Sequence, residues 1–181
     1  MAETNDWERW YTGLDVSFPT RTMVAGNNKG VVTLMTLEGE KIWDKKLHNA
    51  RCNFVEFSER QSWMMVTTGT GSVKVWDIRN IKGQDSALAE LHHDVEVYSA
   101  HFSPQSGDKL LTTDHNELKI YQAPHFSLVR TIQHPSTHYS LFPMEANWHP
   151  LADIVIAGCD KPKSQVGERR TIDFLTTLVT L

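Results

Sequence analysis

Nine histidines and two cysteines are the side chains of this 181-residue sequence best able to hold a metal or move a proton. His134 and His138 stand four apart, the spacing of two ligands on one helical turn. Pro135 lies between them, however, and "HPSTHYSLFP" predicts a loop. Cys52 and Cys159 form no Cys-x-x-Cys pair, and their wide separation suits free thiols in a reducing compartment. "GTGSVK" has glycines spaced as in a phosphate loop, but it joins two predicted strands and no helix follows it. No serine occupies a nucleophile turn with histidine and aspartate partners. The expectation is a chain with no catalytic residue, no metal ligand and no cofactor, and not an enzyme.

A more informative spacing is that of "VKVWDIR", residues 73–79. An alternating apolar run ends on Trp76-Asp77, and Arg79 follows two residues later. A tryptophan at a strand end packs between sheets, while the following aspartate reaches polar groups of the turn.

The elements that carry this stretch recur. Val16 in "LDVSFP", Phe57 in "VEFSER", Phe102 in "AHFSPQ" and Trp148 in "ANWHPL" are 41, 45 and 46 residues apart. Each is followed by a second apolar run: "TMVAG", "WMMVTTG", "KLLTTD" and "DIVIAG". A third run ends at Met35, Trp76 and Tyr121, each 19 residues beyond its own anchor. In the last repeat the third run is "RTIDF", delayed by the polar insert "KPKSQVGER". Fourth runs are "EKIWDKKLH", "ALAELHH" and "SLVRTIQH", which places Trp43-Asp44 on a fourth strand, unlike Trp76-Asp77. His48, His92 and His134 end these fourth strands and are expected to hydrogen-bond within the blade.

Four short strands every ~40–45 residues is the period of WD-repeat propeller blades. The expected fold is therefore all-β: a WD40-type β-propeller of about four blades, an incomplete ring. The expected domain covers residues 10–174, with blades at about 10–48, 49–93, 94–134 and 135–174. Residues 1–9 form an N-terminal extension and 175–181 an atypical tail. The tail, "LTTLVTL", is uncharged and rich in β-formers, a poor outer edge, and suggests a truncated or variant end.

Composition sets the outer limits. Apolar residues make up 40% of the chain, with six tryptophans and seven phenylalanines, enough for a packed core. The net charge of −4 excludes binding nucleic acid by bulk basicity, so any such contact must come from a local face. The opening "MAETNDWERW" is acidic and polar, unlike a secretory leader, and no apolar run approaches a membrane span.

"WYTGLDVS", "GNNKGVVTLMTLEGEKIWDKKLH", "VKVWDIRNIKG", "HFSPQSGDKLLTTD", "ANWHP" and "RTIDF" together resemble the WD-repeat subunit of the UV-damaged-DNA-binding complex, from about Trp10 to Phe174. The resemblance implies a nuclear protein that recognises damaged duplex DNA and brings a cullin–RING ubiquitin ligase to the lesion in nucleotide excision repair. Its partners would be that DNA, the large adaptor subunit of the complex with its ligase, and chromatin or histones, with no membrane. Asp77 and Arg79 would belong to the adaptor-binding box. The opposite face would meet DNA through Arg51, with Trp10 and Trp43 near the same region and Asp114 and His115 in the "TTD" loop. Tyr139 and Ser140 would stand in for the aromatic and amide of a wedge that the family inserts into the minor groove. Thr137 and Asp160 depart from the family, replacing a basic and an aromatic residue. The alternative is a truncated WD-repeat interaction module that binds adaptor or chromatin without recognising lesions.

Overall fold

The computed structural model describes residues 8–133, 146–151 and 154–157. β1 (Tyr11–Ser17), β2 (Thr22–Asn27), β3 (Val31–Thr36) and β4 (Lys41–Lys46) form an antiparallel sheet in that order, the first blade. Short tight turns join them, as in the Asn27–Gly30 turn, where Gly30 takes the left-handed conformation (φ 77°).

Six further strands share one sheet: β5 (Cys52–Phe57), β6 (Met64–Asp77), β7 (Ala89–Phe102), β8 (Lys109–Asp114), β9 (Glu117–Gln122) and β10 (Ser127–Gln133). Two strands are long here, and one of them, β7, links two blades. β6 doubles back on itself at Gly71 (φ 71°), so that the Ile78 amide donates to the Trp63 carbonyl at 2.9 Å. Its first half pairs with β5 and its second half with the start of β7. The end of β7 instead pairs with β8 and opens the third blade. "ALAELHH" and "VEVYSAHF" thus run on without a break, because residues 89–102 contain neither glycine nor proline to interrupt extended backbone. β11 (Ala146–Trp148) and β12 (Val155–Ala157) pair as the first two strands of a fourth blade. "RTIDF" and the tail lie outside the described residues.

Among the described residues, three apolar clusters form the core, one between each pair of successive blades. Val24, Val32 and Leu34 of the first blade meet Val55, Phe57, Met65 and Trp76 of the second. Val66, Val73 and Val75 meet Ala100, Phe102 and Leu110 of the third. Leu111, Leu118 and Ile120 meet Ala146, Trp148 and Val155 of the fourth. The anchors Phe57, Phe102 and Trp148 are all buried, each ending the first strand of its blade. Burying apolar area between sheets is the main force assembling this architecture.

A polar seam runs beside these clusters on the innermost strands. The residue before each anchor reaches forward to the next blade: Asp15 accepts the Phe57 amide at 2.7 Å, and Glu56 accepts the Phe102 amide at 3.0 Å. His101 lies 2.6 Å from Glu56 through Nδ1, and its carbonyl accepts the Trp148 indole N–H at 2.8 Å. Burial pushes the Glu56 carboxyl above its ordinary range despite the His101 contact. The turns between first and second strands converge beside this seam around a cavity of about 550 Å³.

Candidate functional site

The turn after β6 carries the clearest built feature on the surface. Asp77 ends the strand, and its carboxylate accepts Arg79 Nε at 2.8 Å, Nη2 at 2.7 Å and the Arg79 amide at 3.0 Å. The guanidinium lies over the Trp63 ring, 4.8 Å from its centroid. The Arg79 fork holds the Asp77 carboxyl below the usual carboxylate range. Arg79 is exposed, yet its direction is fixed by the Asp77 fork and the Trp63 face, and the Nη1 donors remain for an acceptor on a partner. The rest of the turn is pinned to the first blade. Ile81 is buried, its carbonyl accepts Lys45 Nζ, and Trp43, Ile78 and Ala87 pack on the surrounding cluster.

At the opposite end of the first blade, a group of cations gathers around the Asn27–Gly30 turn. Trp10 and Asn28 hold each other through the Asn28 amide to the Trp10 carbonyl at 3.1 Å and the Trp10 amide to Asn28 Oδ1 at 3.2 Å. Lys46 lies opposite Val31 in the β3–β4 ladder, and the Gly30 carbonyl accepts the amides of Leu47 (2.9 Å) and His48 (3.1 Å). That pin fixes the link leading to Arg51. Lys29, Lys46 and Arg51 are all exposed here, and Trp10 is 58% exposed. Glu8 tempers the patch from 3.8 Å away from Lys29. A phosphate backbone with a neighbouring base or sugar suits such an arrangement of cations and one open aromatic face.

Two buried histidine posts stiffen the same end of the blades. His48 Nε2 meets Thr67 Oγ1 at 2.7 Å, and Trp76 donates its indole N–H to that same hydroxyl at 2.8 Å. Burial, with Lys74 adding charge, drops the His48 pKa to about 4, so the ring is neutral at pH 7. In the next blade the post is His93, not His92. His93 Nδ1 lies 2.8 Å from Asp114 and Nε2 lies 3.2 Å from Thr112, whereas His92 points into solvent. The adjacent histidines fall on opposite faces of a pleated strand, and only His93 faces Thr112 and Tyr121.

Asp114 is buried, and its carboxylate is spent on His93 and on the amides of Asn116 (2.8 Å) and Glu117 (2.9 Å). Burial pushes its pKa up, but these hydrogen bonds outweigh it and hold the carboxyl low. Asp114 therefore shapes the turn that presents exposed His115. Trp43 sits mid-strand on β4 opposite Leu34, half-buried against the core with Lys45 Nζ 5.9 Å from its ring. Tyr139 and Ser140 lie outside the described residues. Among the described residues, no group of three or more His, Cys, Asp or Glu side chains is arranged to hold a metal.

Comparison with known proteins gives this geometry a context. Over 180 residues the chain is 38% identical to DNA damage-binding protein 2 of Danio rerio, covering 96% of this chain and 36% of the relative. Over 173 residues it is 40% identical to the Gallus gallus protein of the same name, covering 91% of the chain and 34% of the relative. The chain is homologous to the DNA damage-binding protein 2 family. It spans about a third of the length of these family members. No family model matches it. The crystal structure of the Myceliophteria thermophila Cps50 (Swd1) β-propeller domain superimposes with a TM-score of 0.68 at 17% identity, over 84% of this chain and 48% of that one, a likeness of fold alone.

Of the residues that the family resemblance singles out, Trp10 and Arg51 share one end of the first blade. Asp77 and Arg79 share a turn at the other end, Asp114 and His115 flank a turn of the third blade, and Trp43 joins the wall between blades. Sequence reasoning missed Trp63 beneath Arg79 and the seam residues Asp15, Glu56 and His101. Trp63 precedes a second strand and pairs with the residue after "WD", so the hairpin register was the available signal.

Proposed function

We propose that this chain is a non-catalytic receptor in the nucleus that recognises damaged duplex DNA at its Trp10–Arg51 end. Its Asp77–Arg79 turn meets the adaptor of a cullin–RING ubiquitin ligase, linking lesion recognition to nucleotide excision repair. The observation that carries the reading is the separation of two prepared surfaces on a DNA damage-binding protein 2 homologue. Exposed Lys29, Lys46 and Arg51 surround Trp10 at one end, and the Trp63-backed Arg79 stands at the other. In this reading Arg51 binds phosphate, Trp10 offers an aromatic face, and Asp114 holds the His115 turn against the duplex. Trp43 supports the link carrying Arg51, while Tyr139 and Ser140 supply the wedge.

Titrating the chain with UV-irradiated and intact duplexes at several salt concentrations tests it. Irradiated duplex is expected to bind more tightly, and Arg51→Ala is expected to weaken both and flatten the log–log salt slope by about 0.9, one phosphate contact. Equal affinity for the two duplexes would sink lesion recognition. The alternative, an interaction module that binds adaptor or chromatin only, is favoured by Asp114, whose carboxylate is buried and engaged within the blade. Adaptor capture without any preference for irradiated DNA would support it.

A further inference from the structure

The turn from Asp77 to Leu88 is stiff and, as a whole, uncharged. Its charged side chains are Asp77, Arg79, Lys82 and Asp85, two of each sign. Ser86 Oγ ties the far half together, accepting the amides of Lys82 (2.9 Å) and Gly83 (3.2 Å) and donating to the Gly83 carbonyl at 2.7 Å. Lys45 of the first blade and Lys74 of β6 reach carbonyls of the same turn, those of Ile81 and Gln84. The Leu88 amide closes it on the Val75 carbonyl at 2.7 Å.

Trp63 is the platform on which Arg79 stands. Its ring packs against the apolar cluster between the second and third blades, and its carbonyl accepts the Ile78 amide at 2.9 Å. The ring is thus held by the core and by its own backbone, and it carries the guanidinium carbon 4.8 Å from its centroid. Asp77 occupies one edge of the guanidinium, taking Nε at 2.8 Å and Nη2 at 2.7 Å. One face and one edge of the planar group are therefore occupied, and the Nη1 donors point away from Asp77. The charge is balanced as well. A second carboxylate on Nη1 would set two anions around one cation and would have to shed its water to do so. A carbonyl oxygen meets the same donors without that cost.

Resting on the reading that this turn meets the ligase adaptor, we propose that Trp63 is the positioning residue of the contact and that Arg79 meets an uncharged acceptor there, a main-chain carbonyl of the adaptor. Trp63 keeps Nη1 aimed before the partner arrives, so little side-chain freedom is lost on docking. With no net charge on the turn, the contact responds weakly to salt. The Trp10–Arg51 end behaves in the opposite way. Lys29, Lys46 and Arg51 are exposed there, with Glu8 opposing Lys29 from 3.8 Å. Three phosphate contacts lower duplex affinity about 500-fold over a tenfold rise in salt. Salt thus separates the two functions, releasing the chain from duplex while the adaptor stays bound.

Capture of the full chain on immobilised adaptor subunit, measured beside duplex binding at about 0.05 and 0.5 M salt, tests this. Parent capture is expected to change by less than about threefold across that range. Trp63→Leu is expected to weaken capture about tenfold and to leave duplex affinity as it was, with Trp63→Phe recovering most of the loss. Arg79→Lys, a cation without the fork, is expected to capture no better than Arg79→Ala. Asp77→Asn separates the two kinds of acceptor, because it leaves the turn with a net positive charge. It is expected to weaken capture. Stronger capture by Asp77→Asn at low salt, or parent capture that falls with salt as duplex binding does, would mean an acidic acceptor and overturn the proposal. A folded Trp63→Leu chain that captures like the parent would overturn the positioning role. No capture by the parent, or equal capture by Arg79→Ala, would instead sink the adaptor reading itself and this proposal with it.

Discussion

His48 shows how one side chain can serve the fold and set its pH response. Its ring is buried between blades, bonded to Thr67, and its pKa falls from 6.5 to about 4. In the unfolded chain the ring takes a proton as pH drops below 6.5, while in the folded chain it does not until about 4. The contribution is therefore complete above pH 6.5 and is lost progressively as pH falls through the window down to 4. Over that window the loss is about 3 kcal/mol. Urea midpoints measured at pH 7 and pH 5 are expected to drop in the parent and to drop less in His48→Gln. Equal drops in the two would assign the acid sensitivity to other groups. The sequence pointed to His48 from its place at the end of a fourth strand. It pointed to His92 by the same rule and missed by one residue, because "HH" does not reveal which histidine faces inward.

Among the elements, the Asn27–Gly30 turn does the most with the fewest residues. Gly30 has φ 77°, and a Cβ there would stand 2.1 Å from the Ala50 carbonyl oxygen and 2.2 Å from that of His48. Gly39 has φ 90° with nothing within 4 Å, so it isolates the backbone cost alone. Gly39→Ala is expected to cost about 1–2 kcal/mol. Gly30→Ala is expected to cost more and to displace the link to Arg51, weakening duplex binding as Arg51→Ala does. Denaturant midpoints paired with duplex titrations check both, and equal costs at the two glycines would show that the link gives way freely. "NNKG" was legible as a turn, since asparagine and glycine announce one. The crowding was not, because it depends on a second loop twenty residues later folding over the first.

At the scale of the whole molecule, the repeat was legible because each anchor faces the same packing problem. A large side chain must fill the space between two sheets, and that demand recurs at a fixed spacing in Phe57, Phe102 and Trp148. What could not be read were relations between blades. Asp114 turned inward to His93 and Asp15 reaching Phe57 join residues whose spacing in sequence follows no local rule. The resemblance supplied names for positions such as Trp43 and Asp114; the packing supplied their orientation, and for these two it is inward.

The seam has an experimental use. On an innermost strand, an amide facing the channel has no neighbouring strand to bond, so its protection from solvent depends on whatever else it meets. For Phe57 and Phe102 that is a carboxylate of the preceding blade. Deuterium uptake at these two amides therefore times the parting of neighbouring blades, while amides inside a ladder time the unzipping of a single sheet. In low denaturant, Phe102 is expected to exchange earlier than the β8–β9 amides of its own blade, and Phe57 earlier than the β6 ladder amides of the second blade. Simultaneous exchange would mean that blades melt and separate in one event, and these two positions would then clock the whole molecule.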